Sequence, residues 1–334
     1  MVQAQFKRSV SIYSYQEKYY TGAMSLEDCV AAAAATGARG IELVAEQMLP
    51  GYPSIRYNLQ PQFVEQWHAM MARHGTVPVA LDAYGETKLH RHRARSDAEL
   101  VAELVDYFKA AKALGMGIVR LSFHLPQSVI EALIPHAEDL DVKFGVEVHA
   151  PHHLDGEWAQ RNIALIERTR TRHFGLIPDL GTFCNTIPRL VYQQSLRHGA
   201  QPRVIEYIRQ VHASRETPKD VVERVRAMGG NAHDEWLAMR VQIAVWTWQE
   251  PKLLADTMPY IIHVHAKFYE MDTAGNEPDV TYEQVMPALI GAGYAGYLSS
   301  EYEGQRLTDG IDMGYDEVEQ VRRHQAMLAR WSRH

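Results

Sequence analysis

One phrase recurs along the chain: an amphipathic helical stretch, a glycine stop, then a short run rich in β-branched residues. It occurs as ATGARGIELV at 35–44, ARHGTVPVAL at 72–81, ALGMGIVRLS at 113–122 and GAGYAGYLSS at 291–300. Glycine ends a helix readily because it enters the left-handed conformation with no Cβ penalty. Each phrase therefore reads as a helix followed by a strand. A chain built from such units makes an α/β fold with a parallel sheet, because strands joined through helices run the same way.

Helix starts fall where this period requires them, at Ser25-Leu-Glu-Asp28 and Ser96-Asp-Ala-Glu99, both shaped like capping boxes. Apolar runs at 10–14, 40–44, 77–82, 118–123, 144–149, 175–180, 261–267 and 297–302 read as eight buried parallel strands. Eight βα units predict a (β/α)8 TIM barrel. The competing doubly wound sheet is disfavoured because no GxGxxG follows the first strand. The long gap between strands 6 and 7 predicts a helical insertion at about 184–259, with helical patterns at 202–212, 218–228 and 235–248. No linker or low-complexity segment divides the chain, so residues 1–334 read as one domain.

Charge and cysteine content exclude several partners. With 34 Lys+Arg against 41 Asp+Glu, a net charge of −7 and no basic block beyond KLHRHRAR at 88–95, no sequence-independent nucleic-acid surface is expected. The basic stretch reads as a solvated loop or a phosphate or acidic-partner contact. Cys29 and Cys184 are too few for a disulfide framework or a thiolate metal site. Residues 1–8 lack an apolar leader core, and no window resembles a membrane span, so a cytoplasmic protein without membrane contact is expected.

Chemistry concentrates at four consecutive strand ends. They read Val146-Glu147-Val148-His149, Ile177-Pro178-Asp179-Leu180, His263-Val264-His265-Ala266-Lys267 and Ser299-Ser300-Glu301-Tyr302-Glu303. Barrel active sites form at the C-terminal ends of strands, and residues two apart share a face. Glu147, Asp179, His265 and Glu301 are thus expected to converge as a hard, oxygen-rich metal set for Mn²⁺, Mg²⁺ or Co²⁺, with Mn²⁺ favoured. Three carboxylates around one point would otherwise raise one another's pKa values.

In their order, the endings EVH, PDLGTF, HVHAKF and GYLSSEYEG resemble the xylose isomerase-like barrels of the sugar phosphate isomerase/epimerase superfamily. The resemblance implies metal binding by those same four residues. Thr182 stands where epimerases of the superfamily carry a histidine three residues after the strand-six aspartate, a departure from a ketose 3-epimerase. The Glu147-x-His149 pair, the insertion and the SSEYEG ending are similar to the α subunits of C-glycoside deglycosidases. That likeness implies a metal-dependent carbon–carbon lyase acting on 3-oxo C-glycosides beside a smaller β subunit in a hetero-oligomer. The expected steps are α-proton abstraction, a metal-bound enolate and expulsion of the aglycone.

His149 is the expected base, since a neutral imidazole suits proton transfer near neutrality. In the alternative reading, a metal-dependent ketose or sugar isomerase or epimerase, the enolate is reprotonated, and Glu147 and Glu301 become acid and base. Lys267, His124 and Glu303 are expected at the substrate, and His263 as a packed residue behind the ligands. Trp246, Trp248, Tyr192, Tyr207 and Tyr260 are candidates for stacking on a flat aglycone, for an apolar subunit interface or for core packing. A non-catalytic sugar-binding barrel is the remaining alternative.

Overall fold

A computed structural model describes residues 6–50, 59–215, 219–246, 248–309 and 316–332. Eight strands alternate with helices: β1 Lys7–Ser11, β2 Gly40–Val44, β3 Val77–Ala83, β4 Ile118–Leu121, β5 Lys143–Val148, β6 Phe174–Pro178, β7 Val264–Phe268 and β8 Tyr297–Tyr302. They form one parallel sheet in the order β6-β5-β4-β3-β2-β1-β8-β7. Bridges Leu176–Ile261 and Asp179–His265, with the Ile262 amide donating to Leu176 O at 3.1 Å, bring the two edges together. The result is the expected (β/α)8 barrel.

Local signals act as the sequence suggests. The capping boxes at Ser25/Asp28 and Ser96/Glu99 start helices Leu26–Ala35 and Asp97–Ala113. Gly75 closes helix Pro61–His74 in the left-handed conformation, φ 62°. The first strand lies three residues earlier than its apolar run suggests. Ser14 explains the shift, because its hydroxyl donates to Ser300 O at 3.1 Å and accepts from the Tyr302 amide at 2.9 Å. That contact ties Ile12–Tyr15 into a 3₁₀ turn across the end of β8.

Between β6 and β7 the chain runs through helices Arg189–Arg197, Pro202–Ala213, Val221–Ala227, Ala232–Gln242 and Lys252–Asp256. The pattern expected at 235–248 is displaced toward the N-terminus. Asn231 and Asp234 form a capping box ahead of it, and Ala244 adopts φ 56° after it. Residues 218 and 247 of the expected patterns lie outside the described residues.

Strand register fixes which side chains face the barrel axis. Ser11 pairs with Glu42, Val44 with Asp82, Asp82 with Arg120, Arg120 with Gly145 and Lys267 with Glu301. Since alternate residues share a face, Glu42, Asp82, Arg120, Glu147, His263, His265, Lys267 and Glu301 belong to one inward-facing set. All are buried.

The seam depends on a small residue. A Cβ on Gly175 would lie 2.5 Å from Ile262 Cγ2 and 2.8 Å from Tyr260 O. Overpacking of this kind costs about 1–3 kcal/mol. Gly175→Ala is expected to lower the melting temperature measured by differential scanning calorimetry, and an unchanged transition would show that β6 and β7 are not in close contact there.

Candidate active site

His265 is the hub of the buried cluster. Its Nδ1 lies 2.8 Å from Glu147 Oε1 and 3.3 Å from Glu301 Oε2, while its Nε2 lies 2.9 Å from Glu42 Oε1. The other Glu42 oxygen is 2.7 Å from His263 Nε2. On the next layer Lys267 Nζ stands 3.1 Å from Asp179 Oδ2 and 3.3 Å from both Glu301 and Glu303. Asp179 is held from behind by the Gly181 amide, which donates to Oδ1 at 2.7 Å. Opposite, the Arg120 guanidinium donates to Glu147 Oε2 at 2.6 Å, stands 3.9 Å from Asp82 and lies 5.0 Å from the Tyr84 ring centre.

The electrostatics follow from crowding in a low-dielectric interior. Burial pushes the Glu147 carboxyl up, but Arg120 and His265 outweigh it and hold it well below the carboxylate range. Burial likewise acts against Glu301, which Lys267 and His265 bring down to about 2. His265 is raised despite burial, because Glu42 and Glu301 favour its imidazolium form. Asp82 is raised by burial and by the Glu42 charge, and Asp179 by burial that Lys267 only partly offsets. Six acidic side chains (Glu42, Asp82, Glu147, Asp179, Glu301, Glu303) thus face Arg120, Lys267 and the His265 imidazolium, with Arg306 and Arg240 acting on Glu303 alone.

That imbalance is the test of fit for a divalent ion. Among the described residues, the donor atoms of Glu147, His265 and Glu301 lie within 4.8 Å of one another, as do those of Glu42, His263 and His265. Buried Glu301 Oε2 and Asp179 Oδ2 accept no hydrogen bond and face the same ammonium. A hard donor set with unspent acceptor oxygens suits a hard cation. Three of the four expected ligands therefore meet directly, and Asp179 joins them across Lys267.

His149 sits at the cluster's edge, its side chain 36% exposed. Its Nδ1 is 2.8 Å from Ala150 O, so Nδ1 carries the proton, and Nε2 faces Asp179 Oδ2 at 3.7 Å. The Phe123 ring stacks on it, with centroids 5.5 Å apart and planes 4° apart. His149, Lys267 and Glu303 line both of two adjoining cavities. The larger, about 650 Å³, opens toward β3 and β4 and includes exposed His124; the smaller, about 100 Å³, is bounded by Arg240 and Trp246.

Strand-end reasoning missed Glu42, Asp82, Arg120 and Tyr13, whose hydroxyl donates to Glu303 at 2.8 Å. The signal for three of them was a lone charged residue inside an apolar strand run: GIELV, VALDA and IVRL. His263 packs behind the ligands as expected, fully buried on Glu42. In the basic stretch, Arg93 pairs bidentately with Glu99 at 2.7 and 2.8 Å and Arg95 pairs with Glu103, so two of its arginines are engaged by the following helix.

Residues 30–331 match the xylose isomerase-like TIM barrel family. The chain belongs to that family. Within the xylose isomerase-like barrels it is similar to the 3'-dehydrocarminate deglycosidase alpha subunit of a Microbacterium species, 29% identical over 88% of this chain and 87% of the relative. A C-glycoside deglycosidase alpha subunit of Arthrobacter globiformis is 24% identical over 96% and 91%. Among solved structures, D-psicose 3-epimerase superposes with a TM-score of 0.58 at 12% identity, covering 98% of this chain and 99% of that one. A sugar phosphate isomerase/epimerase from Parabacteroides distasonis gives 0.57 at 11% identity, over 99% and 95%. These two share the fold. Among the described residues no helix is long and apolar enough to cross a membrane.

Removing one partner of a buried ion pair costs about 3–5 kcal/mol, because the other charge is stranded. Arg120→Met is therefore expected to destabilise the protein by that amount in urea unfolding. A loss below about 1 kcal/mol would show that Glu147 does not depend on Arg120.

Proposed function

We propose that this protein is the bond-cleaving α subunit of a C-glycoside deglycosidase, a metal-dependent carbon–carbon lyase acting on a 3-oxo C-glycoside together with a smaller β subunit. The observation that carries the reading is the orientation of His149. Its proton is directed to Ala150 O, and its basic Nε2 faces the carboxylate–imidazole cluster at the junction of two cavities. Relatives named as alpha subunits over most of the chain support the same reading. A divalent ion, Mn²⁺ in this account with Mg²⁺ or Co²⁺ as alternatives, would be held by Glu147, Asp179, His265 and Glu301 and would supply Lewis-acid stabilisation of negative charge on the ketone oxygen.

The chain's own residues then divide the work. Lys267, Glu303 and His124 line the cavity where a sugar's oxygens would lie. His149 Nε2 takes the proton from sugar C2, and the released electron pair becomes the enolate of the C3 ketone. Collapse of the enolate forms the C1–C2 double bond and breaks the bond from C1 to the aryl carbon. That carbon takes the proton back from the imidazolium. The aglycone leaves as an arene and the sugar as an unsaturated ketone, with no net change in protons. Phe123 stacking sets the plane of the ring, and the Ala150 hydrogen bond holds it in the tautomer this requires.

Glu42 acts on the cluster from below. Its Oε1 lies 2.9 Å from His265 Nε2 while Nδ1 faces Glu147 and Glu301, the carboxylate–histidine arrangement that tunes metal ligands.

The direct test is chromatography of the aglycone released from a 3-oxo aryl C-glucoside by the Mn²⁺-loaded protein with its partner subunit. Release is expected. No release, with solvent deuterium entering the keto sugar, would overturn the lyase reading in favour of an isomerase. In the same assay His149→Ala is expected to keep its metal and lose at least about 100-fold in turnover, the usual scale for a general base. A variant with normal rates would remove His149 from the mechanism. Glu147→Gln and Asp179→Asn are expected to lose bound metal by elemental analysis, and Glu42→Gln to bind it about 10–100-fold more weakly; full retention in all three would refute the ligand assignment.

A further inference from the structure

We propose that the aglycone binds on the β3–β4 side of the barrel mouth, against Tyr84, Leu89, Tyr107 and Phe123, with the Glu46 carboxylate accepting a hydrogen bond from an aglycone hydroxyl. This rests on the deglycosidase reading and adds to it where the leaving group lies and what chemistry recognises it.

Size decides between the two cavities. Pockets for drug-sized ligands span about 300–1,000 Å³. The chamber beside Trp246, at about 100 Å³, cannot take a multi-ring aglycone, whereas the chamber of about 650 Å³ can take sugar and aglycone together. Trp248, Tyr192, Tyr207 and Tyr260 line neither chamber. Of the described aromatic candidates between β6 and β7, only Trp246 reaches either chamber, and it lines the one too small for a multi-ring aglycone. Arg240 lies 5.0 Å from the Trp246 ring centre, and Arg215 lies 4.2 Å from that of Trp248.

The large chamber is lined by two groups of residues that differ in chemistry. Glu147, Lys267, Glu301 and Glu303, at the ends of β5, β7 and β8, suit sugar oxygens, and the four apolar or aromatic residues line it beside β3 and β4, with Arg120, Glu86 and Glu103 among them. Two of the four are conspicuously unburied for their type, Tyr84 at 38% and Leu89 at 45%. On that side one Glu46 oxygen accepts from the Tyr84 amide at 2.7 Å, while Oε2 is buried and accepts no hydrogen bond. An unspent carboxylate oxygen beside an aromatic slot calls for a donor, and a phenolic hydroxyl supplies one. The chemistry agrees: a hydrogen bond that draws the phenol proton toward a carboxylate enriches the ring, and the ring carbon must accept a proton as the C1–aryl bond breaks.

The test is isothermal titration of the intact protein with a free hydroxyflavone and with its methyl ether. The wild-type protein is expected to bind the hydroxyflavone more tightly. Leu89→Asp, at an exposed position that tolerates polarity, and Tyr84→Ala should each weaken binding about tenfold. Glu46→Gln should remove the preference over the ether, and Trp248→Ala should bind as wild type. Absence of flavone binding, or binding that survives Leu89→Asp and is lost in Trp248→Ala, would overturn the proposal. Flavone binding with this pattern but no aglycone release from the 3-oxo C-glycoside would refute the lyase reading alone. Release with an unchanged KM in Leu89→Asp would refute the subsite alone.

Discussion

The structure depends on keeping a crowd of carboxylates inside the barrel. An uncompensated buried ion costs several kcal/mol, so each acid must find a counter-charge or give up its charge. Here the compensation spans strands. Arg120 on β4 reaches Asp82 on β3 and Glu147 on β5, and Lys267 on β7 reaches Asp179 beyond β6 and Glu301 on β8. His265 joins Glu42 on β2 to Glu147 and Glu301. The same ion pairs tie the ends of neighbouring strands to one another around the cluster.

The balance remains tilted toward negative charge, and that tilt links the fold to its chemistry. The Arg120 guanidinium holds Glu147 from one side, and the Lys267 ammonium stands between Asp179 Oδ2 and Glu301 Oε2, two buried oxygens that accept no well-formed hydrogen bond and are met mainly by that one ammonium. A protein selected only for stability would replace such a cluster with apolar side chains, often at a gain. Retaining it at the C-terminal ends of the strands, where barrel chemistry takes place, is the mark of a working site.

How much was legible in the sequence follows from where each signal sat. The barrel could be read because helix, glycine stop and strand recur in one order, and because the capping serines at 25 and 96 stand in phase with them. That Glu147, His265 and Glu301 meet could be read because polar residues two apart at a strand end are costly unless used, and Asp179 because it ends an apolar run. Glu42, Asp82 and Arg120 each stand singly in an apolar run, and only the register, which aligns Val44 with Asp82 and Asp82 with Arg120, shows that they face the same axis. The start of β1 was misplaced because the bond from Ser14 to Ser300 is a contact across 286 residues, which no local pattern carries. Thr182 donates to Asp179 O at 2.7 Å, turning back onto its own backbone.

The central claim is that the cluster around His265 Nδ1 is a divalent cation site. Anomalous diffraction from crystals grown with Mn²⁺, collected on either side of the manganese absorption edge, tests it most directly. The account predicts a single strong peak among Glu147, Asp179, His265 and Glu301, with Lys267 Nζ displaced from between Asp179 and Glu301. No peak there, or a peak confined to Glu42 and His263, would contradict it.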